Sequence, residues 1–120
     1  MSDAGNKPLT AYKVLTGEQM AALERDGSFT GAPVDLEDGF VHLSTADQLA
    51  ETIDKHFAGQ DELHIVAVDL AAYADKARWE PSRGGQLFPH LYAPLLLETA
   101  VAYSPLERHD DGSIRLPVAG

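Results

Sequence analysis

The chain has 120 residues, 44% of them hydrophobic, and a formal net charge of -10, which suits one globular domain, residues 1–120, with an ordered core over about 11–117. With no cysteine, a disulfide framework, a thiolate metal site and a cysteine nucleophile are excluded. Only 9 Lys and Arg stand against 19 Asp and Glu, which argues against a nucleic-acid partner and favours a small-molecule or protein ligand.

The opening MSDAGNKPLT is polar, without the apolar stretch of a signal peptide. No apolar run approaches the ~18 residues of a membrane span, so a cytoplasmic protein with no membrane contact is expected. AYKVL (11–15) reads as a first strand. Thr16 then opens a helix, with Gln19 at capping-box spacing, Met20 and Leu23 as its apolar edge and Gly27 as its end. SFTGAPVDLEDG (28–39) is read as a turn-rich loop. FVHL (40–43) is a short strand that sends Phe40 and His42 to one face and Val41 and Leu43 to the other.

A helix follows at once, capped by Ser44 or Thr45, with Gln48 at capping-box spacing and an apolar face of Ala46, Leu49, Ala50, Ile53 and Phe57. LHIVAVDL (63–70) is apolar throughout, as befits a central strand covered on both faces. AAYADKA is a loop or one helical turn, LLLETAVAYSPL (95–106) a further long strand, and HDDGSIRL a closing hairpin turning at Asp111-Gly112. Helices early and strands late argue an α+β fold.

Two segments are the candidates for chemistry. In FVHLST, a strand bearing His42 runs into a helix N-terminus, where free N–H groups and the helix dipole favour an anion, with the Ser44 hydroxyl alongside. In ARWEPSRGGQLFPHLY (77–92), Trp79 offers a stacking surface, Glu80 an acceptor or base, and Arg83 a planar phosphate ligand. Gly84 and Gly85 allow close backbone approach, and Pro89 makes FPHLY an edge or irregular strand. Extended backbone puts Arg78 and Glu80 on one face with Trp79 opposite, and projects Phe88, His90 and Tyr92 together. The competing readings make FVHLST a buried strand histidine beside an ordinary cap, and the second segment a structural loop with Trp79 in the core. His56, His64 and His109 read as structural, and a metal site from His42, Glu80 and His90 has residue type but no local spacing in its favour, so no metal is expected.

GFVHLSTADQLAETIDKHFAGQ followed by RWEPSRGGQLFPHLY resembles the bacterial domain-of-unknown-function family 952, over about Tyr12 to Tyr103. The resemblance implies a fold similar to the ADP-ribosyltransferases, a split β-sheet with two main helices clasping NAD, with the RNA 2′-phosphotransferase as the nearest analogue. It implies NAD as substrate, His42 on the nicotinamide ribose and Glu80 at the oxocarbenium-like transition state. Ser44, Thr45, Arg78, Trp79, Ser82, Arg83, Gly84, Gly85, His90 and Tyr92 would then bind the nucleotide. The acidic chain departs from the phosphotransferase pattern of several arginines, with Lys13 and Arg25 the basic candidates early in the chain, so RNA is not favoured. A non-catalytic binding module with the same cleft is the alternative.

Overall fold

Burial of the HIVAVD run organises the fold. In the computed structural model, which describes residues 9–117, this run is strand β4 (His64–Asp69), with Ile65, Val66, Ala67 and Val68 all buried. Alternation sends Ile65 to one face and Val66 and Val68 to the other, so both faces must be covered. Val66 and Val68 join a large cluster with Leu15, Leu23, Leu43, Leu91 and Leu95, while Ile65 packs with Val14, Leu49, Ile53 and Leu63. β4 is the middle of an antiparallel sheet, between β1 (Thr10–Leu15) and β8 (Ala100–Pro105).

Helix α1 (Gly17–Asp26) forms as its caps dictate: the Thr16 hydroxyl accepts the Gln19 N–H at 3.2 Å, and the Gln19 side chain accepts the Thr16 N–H at 2.9 Å. Gly27, at φ 75°, ends it in the left-handed region that a Cβ disfavours. Met20 and Leu23 enter the large cluster. The predicted helix after FVHLST begins as a 3₁₀ turn (Ala46–Gln48) and continues as α3 (Leu49–His56), with Leu49 and Ile53 covering the second face of β4.

Three expectations are corrected. The 28–39 segment is not all loop: it holds β2 (Ser28–Phe29) and helix α2 (Pro33–Asp38). Pro33 suits the first helical turn, Gly39 closes the end at φ 89°, and the Asp35 carboxylate accepts the Ala32 N–H at 2.7 Å, a cap that Ala32 itself cannot supply. LLLETAVAYSPL is not one strand but β7 (Leu95–Leu96), a 3₁₀ turn (Leu97–Thr99) and β8. β7 pairs with β2 and β8 with β4, so the chain has to bend between two sheets. The Tyr73 hydroxyl holds the bend, accepting from Leu96 N–H at 2.9 Å and lying 3.0 Å from the Thr99 hydroxyl.

The third correction concerns Pro89. Strand β6 (Leu87–Leu91) is central, between β3 (Val41–His42) and β5 (Ala77–Pro81), not an edge. Pro89 still accepts from Leu43 N–H at 3.1 Å, and its missing donor falls where β3 ends at His42, so little of the ladder is lost. The segment before β5, read as loop or one turn, is a pair of 3₁₀ turns within Leu70–Lys76 separated by a kink at Ala74, and the closing hairpin reduces to one bridge between Arg108 and Ile114 around Gly112. The architecture is thus a small mixed fold of antiparallel sheets with few helices.

Ile65→Ala should cost about 2–5 kcal/mol in a urea unfolding titration, whereas Val101→Ala, at a 48% exposed position of the same sheet, should stay within about 0.5 kcal/mol.

Candidate functional site

The two segments singled out in the sequence are neighbouring strands. β3 pairs with β6 so that His42 faces His90, and β6 pairs with β5 so that His90 faces Arg78 and Phe88 faces Glu80. Cross-strand partners share a face. One face of this sheet therefore carries Phe40, His42, Phe88, His90, Tyr92, Arg78 and Glu80, and the other presents Val41, Leu91 and Trp79 to the core. Phe40 stacks on His90 at 4.0 Å and leans on His42 at 4.6 Å, and the two imidazole centroids are 5.6 Å apart, edge to face.

A cleft of about 560 Å³ opens on this face. His42, Ser44, Phe88 and His90 form one wall. Tyr12 and Val14 of β1, with Thr52, His56 and Phe57 at α3, form another, and Ala32, Val34 and Asp38 around α2 border it. Mutual backbone bonds between Tyr12 and Ser44 (2.8 and 2.9 Å) tie the two walls together at the base.

The electrostatic centre is Asp35, 1% exposed. Its carboxylate meets Lys13 Nζ at 3.0 Å and His42 Nδ1 at 2.6 Å, and accepts the backbone N–H groups of Ala32 and His42 at 2.7 and 3.1 Å. Burial alone pushes its pKa up; the bond to His42, the Lys13 charge and the two N–H donors outweigh that and hold it at about 2, below the ordinary 3.8. Burial draws Lys13 down, with Asp35 opposing. Lys13 also donates to the His42 carbonyl at 3.2 Å, so ring and backbone of His42 are both fixed. On its outer side His42 Nε2 meets Asp38 at 2.9 Å. Carboxylate oxygens stand at both ring nitrogens, and each contact is a hydrogen bond when the nitrogen carries a hydrogen.

A model of a family described as protein of unknown function (DUF952) matches residues 14–103. The chain belongs to that family. This DUF952 chain is similar to protein CC0527 of Caulobacter crescentus: the crystal structure of that protein superposes with a TM-score of 0.80 at 41% identity, covering 89% of this chain and 94% of the other. Its solution NMR structure gives 0.75 at 40% identity, over 89% and 91%. No curated protein matches the chain.

Of the predicted site residues, His42, Ser44, Ser82 and His90 line the cleft of this DUF952 protein. The others do not. Glu80 takes the Tyr92 hydroxyl at 2.7 Å and lies 2.8 Å from His90 Nδ1, both through Oε1. Those bonds, Tyr92 first and then His90, hold its carboxyl below the usual range. Arg78 lies over the Tyr92 ring at 5.0 Å, and Trp79 packs on the core. Gly84 and Gly85, at φ 66° and 78°, make the turn of the β5–β6 hairpin, which the Gly85 N–H closes on the Ser82 carbonyl; the Arg83 side chain lies outside the described residues.

At the helix start where an anion site is expected, Ser44 N–H donates to Tyr12, and Thr45 N–H to the Gln48 side chain at 3.0 Å. The Ser44 hydroxyl pairs with Thr52 at 3.0 Å. Lys13 and Arg25 are also committed, to Asp35 and Asp26. Among the described residues no group of three or more His, Asp or Glu is arranged to hold a metal ion, the His42–Glu80–His90 trio included. His56, read as structural, lines the cleft. Asp35, Asp38 and Tyr12 were missed. Pro33 and Gly39 signalled the helix that carries Asp35 and Asp38, but no local spacing links Asp35 to His42 or Lys13.

Asp35→Asn leaves Lys13 buried without its counter-charge and should cost about 3–5 kcal/mol by chemical denaturation. Because the folded pKa of Asp35 is depressed, to about 2 from 3.8, the stability it contributes is present above that ordinary value and is lost as pH falls through 2. The stability difference between wild type and Asp35→Asn should therefore shrink by about 2 kcal/mol between pH 5 and pH 2, measured by urea titrations at stepped pH.

Proposed function

We propose that this DUF952 protein binds a phosphorylated nucleotide of the NAD type in the His42–His90 cleft, on an ADP-ribosyltransferase-like split of antiparallel sheets. One observation carries the reading: FVHLST and WEPSRGGQLFPHLY are adjacent strands, and their histidines are cross-strand partners on the wall of one cleft. A volume near 560 Å³ falls among small-molecule sites. Tyr12, Phe57 and Phe88 supply apolar and aromatic surface for a ring, and Ser82 a hydroxyl at the rim. His42 is the anchor for a ribose or phosphate oxygen. Such an oxygen competes with Asp38, the more exposed partner at Nε2, while buried Asp35 keeps hold of Nδ1 and the ring orientation.

Binding without turnover is favoured over transfer by Glu80, which lies off the cleft with Oε1 occupied and is poorly disposed to face an oxocarbenium centre. A transfer step would draw on Asp38, the carboxylate that borders the cleft.

Titration of ¹⁵N-labelled protein with NAD and with ADP-ribose should shift amides at 42–45 and 82–92. His42→Ala should weaken binding about tenfold, the loss of one charge-assisted hydrogen bond. Spectra unchanged in both segments would sink the nucleotide reading. Nicotinamide release that disappears in His42→Ala would favour transfer, and binding with no release the module.

A further inference from the structure

We propose that the Glu80–His90 pair is the hydrogen-bond acceptor of the cleft and that it takes a sugar hydroxyl of the bound ligand. This rests on the nucleotide reading above and adds the group recognised and the residue that recognises it.

His90 is 4% exposed and its ring is part of the cleft wall. Nδ1 lies 2.8 Å from Glu80 Oε1, and the Tyr92 hydroxyl donates to that same oxygen at 2.7 Å. A carboxyl held ionised by these bonds can only accept, so Nδ1 carries the hydrogen. In the neutral ring the other nitrogen is then a lone pair. That nitrogen, Nε2, is the buried side-chain N or O atom without a hydrogen-bond partner among the described residues.

Buried polar atoms in folded proteins are almost always partnered, and each exception asks for a cause, such as strain, a catalytic role or a bound water or ion. The carboxylate behind Nδ1 makes Nε2 a stronger acceptor, as it does for a metal-bound or catalytic histidine. His42 is the opposite case, with carboxylates at both nitrogens, partners to which the ring can only donate. The wall thus sets a donor ring and an acceptor ring 5.6 Å apart between centroids. A sugar with a hydroxyl beside a second oxygen matches that pair, the oxygen taking a hydrogen from His42 and the hydroxyl giving one to His90. Because Nε2 is covered in the free protein, with Phe40 stacked on its ring at 4.0 Å, the hydroxyl reaches it as neighbouring side chains rotate. Binding should therefore also move the Phe40 ring signals.

The test is long-range ¹H–¹⁵N NMR of histidine-labelled wild-type protein. In the free protein, His90 should show a protonated Nδ1 and an unprotonated Nε2. ADP-ribose should shift Nε2 toward the hydrogen-bonded position, and nicotinamide alone should not. A protonated Nε2 in the free protein overturns the proposal, as does a shift caused only by nicotinamide. Cleft amides that move with ADP-ribose while Nε2 stays still overturn this proposal and leave the nucleotide reading standing; no change anywhere overturns both. In parallel, His90→Phe, checked for native fold by its amide spectrum, should lose about tenfold in ADP-ribose affinity, and unchanged affinity in the folded variant would overturn the assignment.

Discussion

A single buried carboxylate holds this molecule's working parts in register. Asp35 meets Lys13 of β1, the His42 ring and backbone of β3, and the start of its own helix α2, all through two oxygens. Taking such charges out of water is expensive, and an apolar substitute could pack as tightly. What an apolar group cannot do is fix the hydrogen on His42 Nδ1 and the rotation of the ring. The cost of burial is thus tied to orientation of one side chain on the cleft wall, and α2 lies over the cleft because its Asp35 is anchored beneath.

From that anchor the rest of the wall follows by strand geometry. Once His42 is set, antiparallel pairing places His90 beside it and Arg78 beyond, and alternation puts Glu80, Phe88 and Tyr92 on the same side. The residues that made WEPSRGGQLFPHLY look overloaded then divide by face. Trp79 goes to the core, and the glycines close a hairpin whose positive φ angles they alone tolerate cheaply. Glu80 and Tyr92 form a bonded group around His90. The two histidines differ in chemistry because their neighbours differ: His42 lies between two carboxylates, whereas His90 has one, on Nδ1, and a buried Nε2 without a partner among the described residues.

Elements with local signals were legible. The Thr16–Gln19 box and Gly27 bounded α1, the apolar run at 63–70 announced the central strand, and the alternation of FVHL put His42 opposite the core. The α2 helix was obscured because the Pro, Gly and Asp that punctuate loops also start, stop and cap short helices. The LLLETAVAYSPL strand was overextended because its break depends on a Tyr73 hydroxyl twenty-three residues from Leu96, invisible to any local pattern.

The sequence by itself determined helix α1, the helix after FVHLST and the strands around 11–15, 40–43 and 63–70, and that the chain belongs with the DUF952 proteins through its FVHLST and WEPSRGGQLFPHLY motifs. Those are matters of periodicity, capping and motif, which act over a few residues. Only the tertiary structure decided which side chains share the cleft, that Glu80 pairs with His90, and that Asp35 bonds His42. Hydrogen bonds between residues far apart in the chain depend on how strands pair and where faces meet, and pairing is a property of the folded whole.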